Sequence, residues 1–155
     1  MKKWLWIFAA LAAAAVIGSK PSAGTDVGKL QPVQVVCIER ADDNVIVWTD
    51  TGDQGVGEDF NAAVQDMKNA AIGEIFLETA DHVLLSPGSL DQLENAASML
   101  RPSCSVCLFE GELNLEQVGR FLAIHAPERT LMEYRAGLRK LQTLKSIDGR
   151  MTLVS

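Results

Sequence analysis

The sequence predicts one α+β domain, a mixed α/β fold in which a mixed β-sheet is packed by about four helices, after an N-terminal signal or anchor segment. Short β-branched runs such as Val33 to Ile38, Val45 to Thr49 and His82 to Leu85 read as strands. Between them, apolar residues recur at helical spacing, as in Phe60, Val64, Met67 and Ala71. Strands and helices thus interleave within about 130 residues, a length suited to a single core.

Residues 1–18 (MKKWLWIFAALAAAAVIG) join two lysines to an unbroken apolar run, the pattern of an export signal. The run from Trp4 to Ile17 is shorter than the ~20 residues a spanning helix prefers, which favours a cleaved signal peptide over an N-terminal membrane anchor. Residues 19–31 are expected to be a flexible linker, because Ser19 to Leu30 is small, polar and without periodicity. Residues 32–155 form the expected single α/β domain.

Within that domain, Ala41-Asp42-Asp43-Asn44 is turn chemistry and joins the first two strands into a hairpin. Thr51 to Gly57 (TGDQGVG) breaks the strand pattern before a helix that Gly73 closes. Ile75-Phe76-Leu77 and His82-Val83-Leu84-Leu85 are two further strands joined by Glu78 to Asp81. Ser89 is the expected N-cap of a helix burying Leu90, Leu93, Ala97 and Leu100, which Arg101-Pro102 ends. Ser105 to Phe109 is a strand. Asn114 caps a helix presenting Leu115, Val118, Phe121, Leu122 and His125, and a last helix is expected from Thr130 to Leu141. Leu144 to Ile147 and Met151 to Val154 flank Asp148-Gly149, a two-residue hairpin signal. The final strand either completes this domain's own sheet or serves as an edge for another subunit.

The formal charge is −6, and removal of residues 1–23 with Lys2, Lys3 and Lys20 takes it to −9. Phosphate backbones repel such a surface, so the composition argues against nucleic-acid binding. Export also argues against chemistry that needs cytosolic nucleotides.

Five groups of residues have the types that chemistry uses. Cys104-Ser105-Val106-Cys107 has CxxC spacing, which in an exported protein raises thiol–disulfide exchange. The reactive form of that motif lies at a helix N-terminus, whereas Val106 to Phe109 is strand-like and puts positions three apart on opposite faces. Buried free thiols are therefore favoured, with a bridge from Cys37 to one of the pair as the alternative. His82 and His125 lack any ligand spacing, and each is expected near the end of an element. Asp50, Asp53, Glu58 and Asp59 crowd one loop, but without EF-hand spacing, and serve as turn and helix-start acids. Gly52 to Gly57 precedes a helix without the P-loop lysine or GxGxxG. Ser86, Ser89, Ser98, Ser103 and Ser105 have no histidine at motif spacing and no nucleophile elbow surrounds them. The reading accordingly assigns no catalytic, cofactor-binding or metal-binding residue, expects no cofactor, and expects no enzyme.

The order of the hairpin around Val33–Thr49, the helix Gly57–Ile72, the strands Glu74 to Leu77 and His82 to Ser86, the helix Leu90–Leu100 with Arg101 at its end, and the strand Val106 to Gly111 resembles the N-terminal domain of the spore germination receptor C-subunit, the Ger(x)C family. The resemblance covers roughly residues 30–125. Two family features, a lipid-bearing cysteine after the signal and a following tryptophan-aspartate motif, are missing here. What the resemblance implies is a non-enzymatic exported binding or assembly domain in spore germination or sporulation. Its partners would be proteins, membrane receptor subunits among them, and an uncleaved N-terminal segment would bring it to the membrane. The alternative from a different class is an extracytoplasmic thiol–disulfide oxidoreductase using Cys104 and Cys107. In either case the expected location is extracytoplasmic, membrane-associated or secreted.

Overall fold

The computed structural model describes residues 30–147 and 149–155. The expected signal or anchor, residues 1–18, and the linker as far as residue 29 lie outside the described residues. The strands are β1 (Leu30–Pro32), β2 (Val35–Ala41), β3 (Asn44–Thr49), β4 (Gln54–Gly57), β5 (Glu74–Phe76), β6 (His82–Leu85), β7 (Ser105–Glu110), β8 (Thr143–Ile147) and β9 (Arg150–Val154). The helices are α1 (Phe60–Ala70), α2 (Leu93–Ala96), α3 (Leu115–Leu122) and α4 (Leu131–Arg135). Seven strands form one mixed sheet in the order β4-β3-β2-β6-β7-β8-β9, and β1 pairs with β5 in a small parallel ribbon.

The expected α+β class is therefore the observed one. Strands β2, β6, β7 and β8 run parallel at the centre, while β3, β4 and β9 add antiparallel margins. Strands buried on both sides read as continuous apolar runs, and all four residues of β6 are buried, as are Val35 to Ile38 of β2. In β3 burial alternates residue by residue, the mark of a strand with one face less covered.

One face of the sheet carries Val36, Ile38, Val45, Val47, Val83, Leu85 and Val106, packed by α1, α2 and α4 through Phe60, Met67, Leu93 and Leu131. The other carries Val35, Cys37, Leu84, Cys107, Phe109 and Leu144, and among the described residues only α3 packs on it, through Val118 and Leu122. An eight-residue helix is about 12 Å long, whereas six inter-strand spacings cover about 29 Å. Helix α3 leaves part of that second face open.

The helix starts follow the side-chain chemistry expected of them. Asp59 caps α1 by accepting from Ala62 N at 2.8 Å, Asn114 caps α3 by accepting from Gln117 N at 3.1 Å, and Thr130 and Glu133 form a reciprocal capping box at α4. Several extents differ from expectation. The stretch from Gln54 to Gly57 is a strand, and Leu30–Pro32 is a strand where linker was expected. Ser89 caps nothing: its buried hydroxyl donates to Ile38 O at 2.8 Å, while Pro87–Gln92 winds as a tight 3-10 turn ahead of a single turn of α-helix. Gly137 at φ 104° takes the left-handed conformation and ends α4 after five residues, well short of Leu141. Strand β9 pairs with β8 in register, Leu144 opposite Leu153, so the final strand completes this domain's own sheet.

Glycine explains how β4 fits. A Cβ on Gly55 would stand 2.5 Å from Met67 N and 2.7 Å from Met67 Cβ, and one on Gly57 would stand 2.6 Å from Ala62 Cβ. Helix α1 lies directly on the strand because neither position has a side chain.

Candidate functional site

Two hollows lie side by side on the open part of the second sheet face. The first, 480 Å3, is lined by Ile46, Trp48, Asp50, Gln54 and Leu115, and the second, 650 Å3, by Ser86, Pro87, Phe109, Glu110 and Glu112. They share Glu39, Trp48 and Leu113, and so adjoin as one groove.

The pairing register builds this groove. Glu39 sits opposite Ile46, which sits opposite Val56, and two residue pairs further along, on the same face, Cys37 faces Trp48. Trp48 is half-buried, and its ring meets Phe109 edge-on at 6.0 Å between centroids. At the strand edge Val56 remains 43% exposed. The chain leaving β7 turns at Gly111, φ 85°, and lays Leu113 back onto the core beside Trp48. The groove therefore has an apolar floor, and its second hollow lies toward the carboxyl ends of β2, β6 and β7, where ligands of open α/β sheets gather, while its first runs along β3 toward Asp50 beside the start of β2.

A second cavity of 480 Å3 lies at the opposite ends of these strands, lined by Gln34, Asp81, His82, Ser103, Ser105, Gly119 and Thr130 among others. His82 and Ser105 open β6 and β7 in register, and His82 Nδ1 meets Ser105 Oγ at 2.6 Å. Both side chains are buried, at 9% and 7% exposure. Burial lowers the His82 pKa below its usual value, which keeps the ring neutral. A neutral imidazole and a hydroxyl own one proton each, and their mutual hydrogen bond uses one of them. No third group orients the ring among the described residues, since the neighbouring Asp81 pairs with Arg101 instead.

Sequence reasoning missed this pair. The signal was present in the first residues of two parallel strands, but their alignment depends on a crossover register that local spacing does not contain. His125, expected inside the last turn of a helix, is exposed just beyond the end of α3, and its ring lies 4.8 Å from that of Phe121.

The three cysteines are buried and free. Cys104 belongs to the core under α1, α2 and α4, while Cys107 lies in the core under α3, so the two CxxC sulfurs occupy opposite sides of the sheet. Cys37 and Cys107 share a face, but Leu84 separates them in the register. Two strand spacings are about 9.6 Å, beyond the ~7 Å that a disulfide spans between Cα atoms. Burial pushes the Cys104 and Cys107 thiols up to about 12, and raises Cys37 as well.

Asp50, Asp53 and Asp59 of the acidic stretch are engaged in hydrogen bonds within the protein. Asp50 Oδ1 accepts from Gln34 N and Val35 N at 3.0 and 3.1 Å, and Asp53 accepts from the Thr51 hydroxyl at 2.7 Å. Asp59 caps α1, and Phe60 N donates to Gln92 Oε1 at 3.0 Å. These bonds satisfy N–H groups that a phosphate would need at the start of α1. Among the described residues, no group of three or more His, Cys, Asp or Glu is placed to hold a metal ion, and no helix is long and apolar enough to cross a membrane.

Comparison of the chain with protein-family models, curated proteins and solved structures finds no match.

Proposed function

We propose that this chain is a non-enzymatic exported binding domain whose partner surface is the Trp48 groove. The observation that carries the reading is the uneven cover of the sheet: three helices close one face, while the other keeps an apolar floor open beside its single helix. Open apolar surface of this kind is what interaction sites are made of. The export pattern of residues 1–18 supports a location outside the cytoplasm, and the resemblance to the germination receptor C-subunit supports a protein partner, such as a membrane receptor subunit in spore germination. The oxidoreductase reading fits less well, because its two sulfurs lie on opposite sides of the sheet as buried, protonated thiols.

Two measurements test the two halves of this proposal. A reporter active only after export, fused behind Met1–Leu30, should be active. Peptides selected from a random library on the purified protein should lose binding to Leu113→Asp and keep binding to Met132→Asp, a change at a 62% exposed position outside the groove. A silent reporter removes the export half. Binders indifferent to Leu113 remove the binding half.

A further inference from the structure

The groove carries charge of one sign. Glu39, Asp50, Glu110 and Glu112 line its two hollows, and among the described residues no lysine, arginine or histidine does. Two of these carboxylates are engaged: Asp50 holds the Gln34 and Val35 amides, and Glu110 pairs with Lys145 Nζ at 2.8 Å. Glu39 and Glu112 have no basic partner among the described residues. Both adjoin the apolar floor, Glu39 through the hollows it shares with Trp48 and Leu113, and Glu112 through its chain neighbour Leu113.

An occupant matching this surface combines a cation with apolar bulk. Lysine and arginine do so within one side chain, because their methylene stems pack on apolar groups while the charged head stays at the rim. The Trp48 ring adds a face that attracts cations. Anionic headgroups and acidic peptides meet two uncompensated carboxylates, and a second copy of this chain brings a net negative charge of its own.

We propose that the groove binds a basic, apolar peptide segment of a partner protein, with lysine or arginine against Glu39 and Glu112 and the adjacent aliphatic side chains on Trp48 and Leu113. This rests on the reading of the groove as a binding surface. The test uses the full chain and three fluorescein-labelled hexapeptides, alternating leucine with lysine, serine or glutamate, read by fluorescence anisotropy.

The lysine peptide should bind at least tenfold more tightly than the other two, and its affinity should fall as salt screens the pairs. Glu39→Gln with Glu112→Gln should weaken it about 2- to 30-fold, the range for two solvent-exposed charge pairs. Glu74→Gln with Glu128→Gln, two exposed acids elsewhere, should leave it unchanged. Equal binding of all three peptides, each lost in Leu113→Asp, overturns the charge inference while the binding surface stands. Failure of every peptide, or binding that survives Leu113→Asp, overturns both. A doubled mass in sedimentation that no peptide dissolves and that Leu113→Asp abolishes makes a second copy the occupant, and overturns the inference too.

Discussion

Gly55→Ala tests how the wall of the groove is built. Strand β4 flanks Ile46 and Trp48, and α1 lies on its other side with Phe60, Ala63, Val64 and Met67 buried. A methyl at residue 55 would sit 2.5 Å from Met67 N and 2.7 Å from Met67 Cβ. Ordinary carbon contacts lie at about 3.5–4.0 Å, so the helix or the strand must move by about 1 Å. The obstructing atoms include backbone, which cannot rotate aside as a long side chain would. A gap of that size forfeits about a quarter to a half of each dispersion contact it opens, here beneath four buried residues.

Overpacking of this kind costs about 1–3 kcal/mol, and the backbone obstruction puts Gly55→Ala at the upper end, about 3 kcal/mol. For a domain of this size each kcal/mol moves the melting temperature by about 3–5 °C, so a fall of about 10 °C is expected. Urea denaturation followed by circular dichroism measures the change, with an unaltered slope showing that the unfolded state is the same. Gly52→Ala is the comparator: its methyl meets open space, but φ is 89°, so the cost is conformational, about 1 kcal/mol. If Gly55→Ala stays within about 0.5 kcal/mol of the parent, as surface changes do, the direct seating of α1 on β4 is wrong. So is the explanation of the glycines.

Two further outcomes concern the buried groups. With thiols pushed up to about 12, Cys104 and Cys107 should react with iodoacetamide at pH 8 about 1,000-fold more slowly in the native protein than in urea; rapid native labelling of either one would restore the redox reading. The lowered pKa of His82 means that the unfolded chain takes up its proton first, so this residue's contribution to stability is full above about pH 6.5 and is lost as the pH falls through the depressed folded value. His82→Asn keeps a polar partner for Ser105 and should flatten the part of the stability loss that sets in below about pH 6.5. An unchanged pH profile would show that His82 does not titrate as a buried neutral ring.

What was legible in the sequence was mostly what local chemistry decides. Asp59, Asn114 and Thr130 start helices because each accepts from an amide three residues ahead. Period-two geometry separated Cys104 from Cys107 correctly, since alternation along a strand needs no knowledge of the fold. Strand β4 was not legible: in Gln54-Gly55-Val56-Gly57 only Val56 has a strand-forming side chain, and the glycines are there for α1, a contact at helix positions five to twelve residues away. The early end of α4 hinges on the left-handed backbone of Gly137 amid helix-forming neighbours. The His82–Ser105 pair and the groove belong to crossover register and to one loop's path.

The position of the groove follows from the same long-range geometry. Helix α3 crosses Val35 at Gly119, where an added Cβ would stand at an ordinary contact distance of 3.6 Å from Val35 Cγ2, and Leu122 and Ala123 overhang the cavity of His82 and Ser105. The helix thus covers the amino ends of the parallel strands. The loop feeding it must climb from the carboxyl end of β7, and Leu113 is the only residue of that loop packed into the core beneath. A helix of twice the length would close the face, as α1, α2 and α4 together close the other. With eight residues it cannot, and the uncovered surface falls at Trp48, Glu39 and Phe109, where the Trp48 ring meets that of Phe109 and the Glu39 carboxylate lines the same hollow.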